Sequence, residues 1–136
     1  MDLNNATPDG LARRQSLRLD PEQLVRLAEA LPRHERKLIE GRFADGLTYR
    51  DLARKHHTDP RRMRRRIDKL AQRMHQPEFR FTLLHAGQLP PALRKTAKLL
   101  FLHGRSMRDT ALATGHTLHR VRTDRSTLQT LARAGV

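Results

Sequence analysis

Two stretches of this 136-residue sequence are copies of one another. Residues 31–74 align with residues 89–132 without a gap, at an offset of 58, and 12 of the 44 aligned pairs are identical. That identity exceeds what unrelated segments of typical composition share by chance, and the abundance of Arg and Leu in this chain raises the chance level. The repeat predicts two small structural units that fold in the same way.

Each copy carries the signals of three helices in the same order. Pro32 and Pro90 mark the start of the first helix, because a proline at that point loses no hydrogen bond. Gly46 and Gly104 suit the left-handed residue that closes this helix. The second helix follows, and each copy gives it a hydroxyl N-cap with a carboxylate three residues later, a variant of the capping box: Thr48 with Asp51, and Ser106 with Asp109.

The third helix begins at Asp59-Pro60 in the first copy and at Thr117 in the second, where N-cap residues stand. In the first copy its apolar residues form a stripe on one face: Met63, Ile67, Leu70 and Met74. The second copy offers Val121, Leu128 and Leu131. Arg125 occupies the position of Ile67, so we expect the third helix of the second copy to pack less well.

A further helix is predicted ahead of each copy, opened by Asp20-Pro21-Glu22 and by Pro77-Glu78. We therefore predict a first domain at residues 20–75 and a second, more divergent domain at residues 76–136. Residues 1–19 show no hydrophobic period and are expected to form a flexible N-terminal tail. The predicted fold class is all-α, with two tandem small helix-turn-helix domains, because each copy places a basic helix directly after a short helix and a tight turn.

Basic residues outnumber acidic residues, 28 against 14, and the formal net charge is +14. The excess lies in the repeated part: residues 31–74 hold 14 basic and six acidic side chains, and residues 75–136 hold ten and three. Such a charge implies an anionic partner, most simply nucleic acid. An anionic membrane surface and an acidic protein are weaker alternatives.

Several classes of function lack their sequence signals. The chain has no cysteine, no glycine-rich phosphate loop, no paired carboxylates and no Gly-x-Ser-x-Gly motif, so we do not expect an enzyme. No apolar stretch is long enough for a membrane span and no secretory signal is visible, which predicts a cytoplasmic protein. No cofactor or metal is expected. His116 and His119 are interpreted as lying three residues apart on one helix, but no carboxylate or thiol completes a metal site, and we expect surface or phosphate-contacting residues.

The basic residues of the third helices form the candidate binding site. In a helix-turn-helix the second helix of the motif enters the DNA major groove, where Arg pairs with guanine or with phosphate. Five Arg among residues 61–66 repel one another unless an anion compensates them, which favours binding over a merely solvated face. The first copy is expected to contribute more affinity. The predicted DNA-binding residues are Arg61, Arg62, Arg64, Arg65, Arg66 and Lys69 in the first copy, and His119, Arg120, Arg122, Thr123 and Arg125 in the second.

A known family shares the motifs of the first copy: Leu31-Pro32, Gly46-Leu47-Thr48-Tyr49, Leu52-Ala53 and a helix from Asp59-Pro60. With these motifs the copy resembles region 4 of the sigma-70 family of bacterial RNA polymerase sigma factors. The second copy matches the same pattern at Leu89-Pro90, Gly104-Arg105-Ser106, Ala111 and Thr114-Gly115. The resemblance implies that the third helix reads a promoter element, that a neighbouring surface docks on RNA polymerase, and that the protein lies in the bacterial nucleoid.

Two departures from the family pattern carry expectations of their own. The family usually has Leu-Gly before the recognition helix, whereas the first copy has His56-His57, which predicts a different turn. No segment resembles the aromatic-bearing region that melts promoter DNA, and the chain has only one Tyr and four Phe. A complete sigma factor is therefore not expected.

The leading hypothesis is a sequence-specific transcription regulator that binds double-stranded DNA. The alternative is a sigma-like adaptor that binds RNA polymerase or a sigma factor instead of reading DNA bases. RNA binding is less favoured, because few aromatic side chains are present for base stacking. Neither hypothesis fixes the oligomeric state.

Overall fold

The computed structural model describes residues 19–134, and this part of the chain is all-helical, which confirms the predicted all-α class. Apart from Leu19, the predicted N-terminal tail lies outside the described residues. The helices are α1 (Pro21–Leu27), α2 (Arg33–Phe43), α3 (Tyr49–Lys55), α4 (Pro60–His75), α5 (Pro77–His85), α6 (Pro91–Ala97), α7 (Met107–Thr114) and α8 (Leu118–Arg133). The 3₁₀ turn Ala28–Ala30 follows α1, the 3₁₀ turn Ala86–Gln88 follows α5, and the π-helical segment Lys98–Leu102 continues α6.

The helix starts follow the offset of the sequence repeat. Helices α6, α7 and α8 begin 58 residues after α2, α3 and α4 respectively, and the two 3₁₀ turns are spaced in the same way. The final helices of the two copies, α4 and α8, are both 16 residues long. Corresponding residues of α3 and α7, and of α4 and α8, therefore begin in the same register on their helices, whereas the π-helical segment aligns with α-helical residues of α2.

Hydroxyl N-caps begin the second helix of each copy. In α3 the predicted capping box is complete: the Asp51 N–H donates to Thr48 Oγ1, and the Thr48 N–H donates to the Asp51 carboxylate, both at 3.1 Å. In α7 only half of the prediction holds. The Asp109 N–H donates to Ser106 Oγ at 3.0 Å, and the described part of the chain shows no return bond to the Asp109 side chain.

The turn between α3 and α4 and the turn between α7 and α8 both contain a left-handed residue, but their hydrogen bonds differ. The expectation of a different turn at His56-His57 therefore holds for the hydrogen bonds and not for the backbone conformation of residue 57. His57 has a φ of 56°, and Gly115, its counterpart in the repeat, has a φ of 75°. The left-handed residue lets the chain reverse after α3 while the Thr58 N–H donates to the Ala53 carbonyl at 2.9 Å. In the second copy the Gly115 N–H donates to the Ala111 carbonyl at 2.9 Å, and the His116 N–H donates to Thr114 Oγ1 at 3.3 Å. The left-handed conformation is therefore kept without glycine, whereas the hydrogen bonds are not.

The first hydrophobic core lies among α1, α2, α3 and α4. Leu38 and Ile39 of α2 and Leu52 of α3 are buried there, together with Leu24 of α1. The stripe predicted on α4 is confirmed, because all of its members are buried in this core: Met63, Ile67, Leu70 and Met74.

The second core combines α8 with α5, α6 and the π-helical segment. Val121 and Leu128 of α8 are fully buried, as predicted. The predicted stripe was incomplete: Ala132, one turn after Leu128, is buried in this core, while Leu131 is only half-buried at its margin. The other buried side chains of this core are Phe81, Ala97, Leu100 and Phe101.

Helix α5 and the π-helical segment join the two cores. Phe79 is buried in the first core and Phe81 in the second, because residues two apart lie on opposite faces of a helix. The π-helical segment does the same: Leu102 is buried in the first core, whereas Leu100 and Phe101 are buried in the second. The two halves therefore pack on shared elements and are not joined by an extended linker.

Candidate nucleic-acid interface

Helix α4 carries the densest group of predicted site residues, and all of them are exposed. The buried stripe fixes one face of α4 against α1, α2 and α3, so the side chains between the stripe positions project into solvent. The amino end of α4 is held by Asp59, whose carboxylate accepts the Arg62 N–H at 2.8 Å. That backbone hydrogen bond is the main cause that lowers the pKa of Asp59 below its ordinary value of 3.8. The exposed predicted residues are Arg61, Arg62, Arg64, Arg65, Arg66 and Lys69.

Two of these cations have a carboxylate partner nearby in the sequence: the N-cap residue of α4 for one, and a residue one turn further along α4 for the other. Arg62 lies 3.4 Å from Asp59, and Arg64 lies 4.0 Å from Asp68, with all four side chains more than half exposed. Pairs this exposed contribute little and exchange readily for another anion. The guanidinium of Arg64 also lies 5.9 Å from the centre of the Tyr49 ring on α3.

The other four cations of α4 have no such compensation. Within the described residues 19–134, no carboxylate lies within 4.0 Å of Arg61, Arg65, Arg66 or Lys69. Like charges this close together repel, and a bound polyanion relieves the repulsion. The exposed face of α4 is therefore electrostatically suited to a row of phosphates.

The start of α3 is fixed to α2 by a contact that sequence reasoning missed. The Arg42 guanidinium lies 4.8 Å from the centre of the Tyr49 ring, and Arg42 donates a hydrogen bond to the Leu47 carbonyl at 3.4 Å. Tyr49 belongs to the Gly-Leu-Thr-Tyr motif, but nothing in the local pattern marks Arg42 as its partner. This contact adds to the burial of Leu52 and Ala53 in holding α3 against α2.

Helix α8 presents a sparser basic face. All five predicted residues of this helix are exposed, and Arg120 lies 3.8 Å from Asp124, whose side chain is only 19% exposed. The Thr123 hydroxyl donates to the His119 carbonyl at 3.1 Å. The exposed residues are His119, Arg120, Arg122, Thr123 and Arg125.

The two histidines near the start of α8 do not share a helix. His116 lies in the turn before α8, and His119 lies within the first turn of the helix. Within residues 19–134, no group of three or more His, Cys, Asp or Glu side chains could hold a metal ion. The interpretation of the pair as two residues on one helix is therefore wrong, because α8 begins only at Leu118.

His56 closes α3 beside the basic face of α4. Its pKa is lowered from the ordinary value of 6.5, first by partial burial and then by the nearby cations Lys55 and Arg66. The lowered pKa favours the neutral imidazole. His56 thus adds no charge to the basic face near neutral pH.

Comparison of the chain with protein-family models, with curated proteins and with solved structures found no match in any of the three. Among the helices of residues 19–134, none combines the length and the apolar character that a membrane crossing requires.

Proposed function

We propose that this protein is a sequence-specific transcription regulator that binds double-stranded DNA through two helix-turn-helix units. Helices α3 and α4 form the first unit, and α7 and α8 form the second. In each unit the longer helix enters a major groove. The observation that carries the proposal is α4, with six exposed basic side chains opposite a fully buried apolar stripe.

The chemistry of α4 fits both parts of DNA recognition. Cations that lack carboxylate partners bind phosphates and fix the register of the helix on the duplex. Arginine also pairs in a bidentate manner with guanine in the major groove, which supplies base specificity. The rigid anchoring of α4 in the first core supports this role, because a recognition helix must present its side chains in a fixed geometry.

The resemblance to sigma region 4 supports the same assignment of roles. In that family the third helix of the region reads promoter DNA, and α4 and α8 stand at that position in the two copies of this chain. The likeness also makes RNA polymerase a candidate second partner.

Selection of bound duplexes from a random pool, followed by sequencing, tests the proposal. We expect an enriched motif at near-physiological salt, and loss of the enrichment when Arg61, Arg65 and Arg66 are all changed to Gln. A matched control changes Arg26, Arg33 and Arg80 to Gln, which removes the same charge from exposed positions outside α4 and α8. The control should retain the motif.

Two results would contradict the proposal. Retention of duplexes without an enriched sequence would mean that the charge provides only non-specific binding. Equal loss of enrichment in the two triple variants would mean that net charge, and not the face of α4, governs binding. Either result, combined with polymerase binding that survives nuclease treatment, would favour the adaptor hypothesis.

A further inference from the structure

A cleft of about 710 Å³ lies between the two halves of the molecule. The carboxyl-terminal half of α4 and the start of α5 line one side, and the start of α7 and one face of α8 line the other. Its volume falls in the range of sites that bind small molecules or parts of larger ones. The cations that line the cleft are Lys69, Arg73, Arg105, Arg125 and Arg133, and the only carboxylate among its lining residues is Glu78.

Two of these cations are already paired. Arg73 forms a salt bridge with Glu35 of α2, with both side chains at most 20% exposed. Arg133, in the last turn of α8, lies 3.6 Å from the buried Glu78. The pair with Arg133 compensates Glu78, so the one carboxylate that lines the cleft is not left unpaired.

The remaining three cations are uncompensated and come from three different elements. Lys69 projects from α4, Arg105 from the loop before α7, and Arg125 from α8, and all three are exposed. Within residues 19–134 none of them has a carboxylate within 4.0 Å. Within the same residues, the one side-chain hydrogen-bond partner of Arg125 is the Met107 sulfur, at 3.9 Å. Three like charges that converge on one cleft favour an anion between them.

We propose that this cleft is a binding site for a phosphoryl group held by Lys69, Arg105 and Arg125. Arginine forks and a lysine ammonium supply donors in several directions, which matches the many acceptor oxygens of a phosphate. Lys69 and Arg125 also belong to the exposed basic faces of α4 and α8, so the cleft opens onto the proposed DNA surface. A phosphate of the duplex backbone at this point would bridge the two units. That source rests on the proposed function, whereas a free phosphorylated ligand would occupy the site independently of it.

Titration of the full chain with inorganic pyrophosphate tests the site without DNA. We expect Arg105→Gln to weaken pyrophosphate binding by about tenfold, because one charge-assisted contact is lost. The matched control is Arg108→Gln, an exposed arginine three residues along the same segment that does not line the cleft. Its effect should stay below about twofold. Arg105→Lys retains the charge and should restore most of the binding.

A second arm measures duplex affinity as a function of salt and identifies the source of the phosphate. The slope of log K against log salt is negative. If the backbone occupies the cleft, Arg105→Gln should make this slope less negative by about 0.9, while Arg108→Gln leaves it unchanged. If a free ligand occupies the cleft, the slope stays constant and only pyrophosphate binding is lost. Both results support the site.

The inference is overturned if Arg105→Gln and Arg108→Gln behave alike in both arms. Thermal unfolding checks that each variant is folded. Should Arg105→Gln be unstable, Arg125→Gln on the opposite wall provides the same test. Duplex binding by the unsubstituted protein tests the proposed function separately. The phosphoryl site can therefore be disproved while DNA binding is observed, and DNA binding can be disproved while the site binds pyrophosphate.

Discussion

Four residues of the described chain hold left-handed backbone conformations at equivalent points of the two halves. Gly46 and Gly104 follow the first helix of each copy, and His57 and Gly115 precede the last helix. A left-handed conformation costs an ordinary L-residue roughly 1–2 kcal/mol, and glycine avoids that cost. The surroundings of the four positions differ, so the same substitution should have different effects at equivalent sites.

Substitutions at Gly46 and Gly104 separate the effect of backbone strain on stability from the effect of packing. A Cβ atom at Gly46 would meet nothing within 4 Å, whereas one at Gly104 would overlap the Arg73 guanidinium, which is also paired with Glu35. We expect Gly46→Ala to lower the free energy of unfolding by about 1 kcal/mol and Gly104→Ala to lower it by about 2 kcal/mol. Urea unfolding of both variants measures the difference. Equal losses would show that Arg73 moves aside without cost.

His57 is the one non-glycine residue with a positive φ among the described residues. Its side chain is exposed, so a substitution there removes no buried contact. We expect His57→Gly to raise the free energy of unfolding by about 0.5–1 kcal/mol, because the relief of backbone strain exceeds the added entropy of the unfolded chain. The counterpart variant Gly115→Ala should lower stability by a similar amount. Destabilisation by His57→Gly, measured by urea unfolding, would contradict the strain argument.

At the scale of elements, α4 and α8 share a length and a position but differ in charge density. Arg62 and Arg65 on α4 can be compared with Arg120 and Arg122 on α8, because each pair combines one ion-paired and one unpaired exposed arginine within the described residues. We expect Arg62→Ala with Arg65→Ala to weaken duplex binding by about 30-fold, and Arg120→Ala with Arg122→Ala by less than about tenfold. Fluorescence titration at fixed salt measures both. The reverse order would assign the dominant role to α8.

Helix boundaries followed from local signals, because N-caps and apolar stripes act within one or two turns of chain. The apolar stripe also predicts which face of α4 is exposed, so the six exposed basic residues of that helix were predictable. The π-helical segment was not, since its geometry depends on burying Leu102 in the first core and Phe101 in the second. Arg105 was not predicted as a site residue for a related reason. Its neighbours in the cleft, Lys69 and Arg125, come from distant parts of the sequence.

The left-handed His57 was predictable in principle. The alignment of the two copies places it over Gly115, and the family pattern of Leu-Gly places a glycine at the same position. Histidine tolerates this conformation better than β-branched residues do. Both comparisons therefore mark residue 57 as a position that takes a left-handed conformation.

At the scale of the whole molecule, the two halves meet at a junction that contains a partly buried histidine. His103 follows the π-helical segment, and its N–H donates to the Lys98 carbonyl at 2.9 Å. Partial burial is the main cause that lowers the pKa of His103 from its ordinary value of 6.5, and the nearby Arg105, Arg73 and Lys98 lower it further, while Glu35 opposes them. The folded protein thus favours the neutral imidazole at this junction.

This lowered pKa predicts how stability depends on pH. Below pH 6.5 the unfolded chain takes up a proton on His103 more readily than the folded chain does, so acid favours unfolding. His56 acts in the same direction, because its pKa is lowered as well. The lowered pKa values of Asp51 and Asp59 matter only near and below 3.8, outside this window. We therefore expect the free energy of unfolding to be highest above pH 6.5 and to fall as the pH drops toward 5.

Urea unfolding at pH 7.5 and pH 5.0 measures this dependence, and histidine substitutions identify the groups that cause it. His103→Gln with His56→Gln should flatten the change between the two pH values, because the groups that take up protons on unfolding are gone. The control Gln88→Ala changes an exposed side chain that binds no proton in this pH range and should leave the pH dependence unchanged. If the double variant keeps the full dependence, the acid sensitivity comes from elsewhere, and charge repulsion among the uncompensated arginines becomes the better explanation. In that case added salt should restore stability at pH 5.0, whereas protonation of a partly buried histidine responds only weakly to screening.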